Sequence, residues 1–169
     1  MSLKLAVTGW LLLAVEGLGV AGLQIYVRTG LTPSGALRHY LGDEATLRQP
    51  MSLMEIVGVT HAHGFSLPLV AVALAFAFIA SSAREWLKRV VVIALFAGMT
   101  LELGLPWLVR YGPAWSVHLF LLTGALLIGG VFVSVAVPLY EMWWLPAKPK
   151  ITVMRPPQPQ EAPRLRRAR

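Results

Sequence analysis

No cysteine occurs in the 169 residues. Disulfides, thioether-linked haem, iron–sulfur clusters and thiolate zinc sites are therefore excluded. Charge is scarce as well. Asp, Glu, Lys and Arg make up 14% of the chain, whereas a soluble domain carries about a quarter. No glycine-rich phosphate loop, nucleophile triad or pair of catalytic carboxylates is legible, so a hydrolase or kinase reading has no support. Whether the chain is an enzyme at all is left open by its residues.

What replaces the missing charge is apolar sequence. Hydrophobic residues form 56% of the chain and mean hydropathy is +0.65. They are gathered in four runs, at about 5–27, 56–81, 87–109 and 114–140. Each is long enough to cross a bilayer as a helix, which takes about 20 residues. The expected fold is all-α: an integral membrane four-helix bundle, up-down-up-down, over residues 1–145. A disordered Pro/Arg-rich tail follows at 146–169, where Pro156-Pro157-Gln158-Pro159 and a dense set of arginines occur among few apolar residues. A cleaved signal peptide is the alternative for the first run. Glu16 interrupts that run and Leu23-Gln24-Ile25-Tyr26-Val27 prolongs it, which favours a retained helix.

The basic residues orient the bundle. Arg84, Lys88 and Arg89 lie around the junction of the second and third runs, and the tail holds seven more Lys or Arg. Short flanks rich in such residues stay in the cytoplasm. Both termini are thus expected inside a bacterial inner membrane, with the polar stretch 28–55 and the turn near Arg110 outside. The net charge of +7 comes mostly from the tail. The tail is expected to act as a topology anchor, with binding of anionic lipid head groups as the alternative, and nucleic-acid binding is not expected. Small residues such as Gly17, Ala21, Ala125 and Gly129 fit close helix packing.

Within this frame, His61, His63, His118 and Glu102 fall at one depth. At 1.5 Å per residue, His61 and His63 lie roughly 8–11 Å from the outer end of the second helix. His118 is about 6 Å into the fourth helix, and Glu102 about 10 Å below the outer end of the third. Intramembrane ionisable groups usually face a bundle interior and mark a site. Glu16 lies nearer the middle of the first helix. Two positions on a helix differ by about 200° of rotation, so His61 and His63 cannot both point the same way.

A short internal repeat bears on which points inward. Val27-Arg28-Thr29-Gly30 parallels Val109-Arg110-Tyr111-Gly112, and His63-Gly64-Phe65 parallels His118-Leu119-Phe120. If the halves are equivalent, His63 and His118 sit on diagonal helices roughly 12–14 Å apart, since neighbouring axes are 8–10 Å apart. That separation suits a b-type haem with His63 and His118 as axial ligands. His61 and Glu102 would then bond a propionate or quinone. Gly58, Gly64, Gly98, Ala125 and Gly129 would admit the macrocycle, and Pro68 and Pro106 would free carbonyls nearby.

The leading expectation is a small redox subunit passing electrons between quinone and a periplasmic partner. Two alternatives stand beside it. One is an imidazole-ligated metal site built on His63 and His118 with Glu102. The other is a cofactor-free anchor or assembly subunit of a larger membrane complex. His39, in the outer stretch, is expected to be solvated.

Two stretches, Glu55-Ile56-Val57-Gly58-Val59-Thr60-His61-Ala62-His63 and Pro106-Trp107-Leu108-Val109-Arg110, resemble a family of small bacterial four-helix membrane proteins with a Thr-His-x-His motif. The resemblance covers about residues 5–140. It implies four helices and marks Thr60, His61 and His63, and it supplies no reaction.

Overall fold

The computed structural model describes residues 1–145. The expectation of a disordered tail falls outside them. Five α-helices follow one another: α1 (Ser2–Thr29), α2 (Pro33–Leu41), α3 (Leu53–Ile79), α4 (Glu85–Tyr111) and α5 (Leu119–Trp143). A 3-10 turn, Ala114–His118, leads directly into α5. Among the described residues there is no strand, only an isolated bridge between Asp43 and Arg48.

Four helices, α1, α3, α4 and α5 with its leading turn, are long and apolar enough to span a membrane. The chain is a multi-pass membrane protein with alternating spans. Its two ends differ in what they carry. The termini end holds the start of α1 and the end of α5, joined where Lys4 Nζ donates to the Met142 carbonyl at 2.7 Å and Trp143 Nε1 to Thr8 Oγ1 at 3.0 Å. The α3–α4 turn is fixed at this end too, where the Ser82 hydroxyl donates to Glu141 at 2.6 Å. The loop end holds α2 and the segment that leads to α3.

The helices start and stop for local reasons. Ser52 accepts from the Glu55 amide while Glu55 accepts from the Ser52 amide, a reciprocal cap that begins α3 three residues before the apolar run. Thr32 caps α2 through the Gly35 amide, with Pro33 in the first turn. Gly30, left-handed at φ 60°, closes α1. A side chain at Gly35 would strike the Thr29 carbonyl oxygen at 1.8 Å, so only glycine lets α2 fold back on the end of α1.

Packing is uneven. At the termini end a core of Leu11, Leu74, Phe78, Val91, Leu95 and Val135 draws one or more residues from each of the four spans. The tightest seam is α4 against α5. A Cβ at Gly98 would lie 2.9 Å from Leu127 Cγ, and one at Gly130 would lie 3.1 Å from Leu95 Cδ2. In lipid, association relies on such close backbone approach, because lipid tails are as apolar as the side chains. At the loop end, Ala36 of α2 packs on Val109 and Val117, and Tyr40 stacks on Phe120. By contrast α1 is held only at its extremities. Leu11 is its single buried residue, and most of residues 12–28 are exposed.

Candidate functional site

Thr60 decides how the Thr-His-x-His segment is presented. Its hydroxyl accepts from Trp107 Nε1 at 2.7 Å, tying α3 to α4. With Thr60 turned to α4, the helical repeat rotates His61 by about 100° and His63 by about 300° from it. Both imidazoles emerge exposed on the chain's surface. His61 lies against Phe65, one turn on, with ring centroids 5.9 Å apart and edge to face. Phe65 is itself 72% exposed, so the pair forms part of an outward stripe.

His118 ends the 3-10 turn and immediately precedes α5, without a side-chain capping bond. Its predecessors Ser116 and Val117 are buried, and His118 is exposed. Glu102 is half-buried on α4. Its carboxyl acts on Tyr40 of α2, whose phenol is pushed up to about 12, first by burial and then by that neighbouring charge. The four candidates do lie toward the loop end, as their depth required. The chain does not gather them into one ligand set: among the described residues no three His, Asp or Glu side chains converge to hold a metal ion. A Cβ added at Gly58, Gly64 or Gly129 would have nothing within 4 Å, whereas Gly98 is taken up by the α4–α5 seam. Glu16, midway along α1, is exposed and makes no hydrogen bond or ion pair among the described residues.

The profile of a family of transmembrane helical domains matches residues 30–149. The chain belongs to that family. The matched span takes in α2 through α5, so all of α1 precedes the transmembrane helical domain. No curated protein and no solved structure matches the chain.

The residue that the sequence undervalued in this transmembrane helical domain is His39. It is only 7% exposed, on the buried face of α2, and its Nδ1 is bonded to the Arg48 guanidinium. Guanidinium carries no acceptor, so Nδ1 accepts and the ring proton resides on Nε2. Burial holds the imidazole below the usual histidine range. The Arg48 and Arg28 charges push the same way, and Glu55 opposes them. The legible signal was spacing: Gly35, Ala36 and His39 form one buried face of a short helix that a polar composition concealed.

Because the folded value lies below the unfolded one, neutral His39 stabilises the loop fully above about pH 6.5. That contribution is lost as pH falls through the folded value. Amide exchange in α2, corrected for the intrinsic rate, should accelerate between about pH 7.5 and pH 5. His39→Gln should remove the pH dependence. The Thr60–Trp107 bond gives a second expectation. A double-mutant cycle with Thr60→Val and Trp107→Phe, read by unfolding in detergent, should return a coupling of roughly 0.6–1.7 kcal/mol. A coupling near zero would mean the two side chains do not hold the helices together.

Proposed function

We propose that this chain is a subunit of a membrane assembly, joined to further spanning helices through the exposed sides of α1 and α3. The observation that carries the reading is Glu16. It occupies the middle of a 28-residue spanning helix, exposed and without a partner among the described residues. A carboxyl facing hydrocarbon at mid-bilayer costs several kcal/mol, on the order of 3 by insertion scales. Such groups normally face other protein. His61 and His63 on α3 repeat the pattern nearer the loop end. Neighbouring helices on more than one side, supplying donors and acceptors, would satisfy all three and cover the sparsely packed length of α1.

The family match fits this reading without extending it: α1, with its polar group, lies outside the matched domain. The basic flanks at the termini end, including Arg84, Lys88 and Arg89, orient that end to the cytoplasm of a bacterial inner membrane. The loop end would then face the periplasm. Extraction in a mild detergent followed by light scattering tests the proposal. The protein should emerge in a complex larger than one chain, and a monodisperse monomer at low detergent would argue against it.

A second reading retains redox chemistry. His61, His63 and His118 all lie toward the loop end and are all exposed. Imidazoles so placed are open to a b-type haem or a metal ion shared with a neighbouring subunit, in a complex that serves a quinone or a periplasmic electron carrier. This would add electron transfer to the assembly role. A reduced-minus-oxidised spectrum of the natively extracted complex, with metal analysis, decides it. A sharp reduced α-band that disappears in His63→Ala or His118→Ala supports the haem. A featureless spectrum with no bound metal leaves assembly alone.

A further inference from the structure

At the loop end, between the last turn of α1, the buried edge of α2 and the first turns of α3, lies a cleft of about 590 Å³. Arg28, His39 and Arg48 supply its polar wall, and Met51, Gly58 and Val59 its apolar wall. A neighbouring cleft of about 360 Å³ shares Arg28 and Arg48 and adds Arg38. Among the described residues, neither Arg28 nor Arg48 is ion-paired with a carboxylate. Glu55, also on the wall, has one oxygen committed to the Ser52 amide and hydroxyl, at 2.6 and 2.7 Å.

His39 turns this from a patch of surface arginines into a built site. It is more than nine-tenths buried, yet it lines the cleft. Its Nδ1 is held by Arg48, so its Nε2–H is a fixed donor with no partner among the described residues. Two planar cations and one neutral imidazole line one cavity. That donor set suits an anion with several acceptor oxygens, because guanidinium forks match phosphate geometry.

The depth of the cleft narrows the ligand further. A 28-residue helix is about 42 Å long, against about 30 Å of hydrocarbon. The last turn of α1 and the first turn of α3 therefore lie at head-group level. We propose that the Arg28–His39–Arg48 cleft binds a phosphate group at the membrane interface, with the apolar wall receiving the part of the molecule next to the phosphate. The phosphate can come from a phospholipid of the surrounding leaflet or from a soluble phosphorylated compound. The site is independent of the assembly proposed above, since it uses none of Glu16, His61 or His63.

Two probes separate the sources. Native mass spectrometry of the full chain in mild detergent, with phosphatidylglycerol added, reads lipid binding. Calorimetry with inorganic phosphate and with glycerol phosphate reads soluble binding. One bound molecule per chain is expected from one or both probes. Arg28→Gln should weaken it at least tenfold, and Arg28→Gln with Arg48→Gln should abolish it. Arg28 makes no side-chain hydrogen bond among the described residues, so the single variant should keep its fold, checked by circular dichroism. Arg84→Gln, at the opposite end, should bind as the parent does. Binding to phosphatidylglycerol alone would identify the lipid, and binding to the soluble probes alone would identify a free phosphate. No binding of any probe, or equal binding by Arg28→Gln and the parent, would overturn the assignment.

Discussion

Gly98→Ile should largely separate α4 from α5. A Cβ at Gly98 already meets Leu127 Cγ at 2.9 Å and Leu126 Cβ at 3.3 Å, and isoleucine adds a branch at that point. Leu127 Cγ is not the free end of a side chain, so the helices themselves must move apart. Overpacking a well-filled interior costs about 1–3 kcal/mol and occasionally more. The upper end is expected here. In a bilayer no hydrophobic gain holds the helices together once close packing is lost. A domain with a total stability of about 5–15 kcal/mol feels such a loss strongly. Unfolding followed in mixed detergent should show it. Gly129→Ile is the matched control, because nothing lies within 4 Å of its Cβ position and the residue is exposed. It should change stability by no more than about 0.5 kcal/mol. Equal effects at the two sites would mean that the α4–α5 seam is not the tight one.

The second large effect concerns assembly. Replacing Glu16, His61 and His63 together by leucine should leave the fold intact and dissolve the complex. Within the described chain, the one aromatic contact among these side chains is His61 against Phe65. Their loss therefore removes little that holds the monomer, and leucine enters lipid more easily than an ionisable group. Interhelical hydrogen bonds in membranes contribute about 0.6–1.7 kcal/mol each. Three lost together imply association weaker by on the order of 100-fold, at about 1.4 kcal/mol per decade. Light scattering across a detergent dilution series would read the shift. A variant that stays assembled would move the interface elsewhere on the chain.

The contrast between these two expectations reflects what the sequence disclosed. The four spans were legible because uninterrupted apolar runs leave a chain no other course in lipid. Their bounds were drawn short at the loop end of α3, although Ser52-Leu53-Met54-Glu55 carries a capping box in plain view. The helix α2 was missed in the same way. Thr32-Pro33-Ser34-Gly35 signals a helix start, yet nine residues between two spans read as a polar loop.

Orientation was harder for a physical reason. A spanning helix is apolar on the side that meets lipid as well as on the side that meets protein. In α1 and α3 no polar face therefore reveals the outward direction. The depth of His61, His63, Glu102 and His118 followed from counting residues. The direction of His61 and His63 did not, because it is set by how α3 packs on α4 and α5, the Trp107–Thr60 bond included, which only the fold creates. His39 shows the converse: a residue read as solvated lies on the buried face of α2 with Gly35 and Ala36, its ring held by Arg48.

Protein, not lipid, should cover the exposed length of α1 if the chain is an assembly subunit. Val20 lies one turn beyond Glu16 on the same side of the helix and is 62% exposed. A photo-crosslinking amino acid placed there and irradiated in intact membranes reports directly on what lies against that side. A discrete protein adduct, of fixed mass and lost in the triple leucine variant, is the expected result. Adducts to lipid alone would contradict the assembly role.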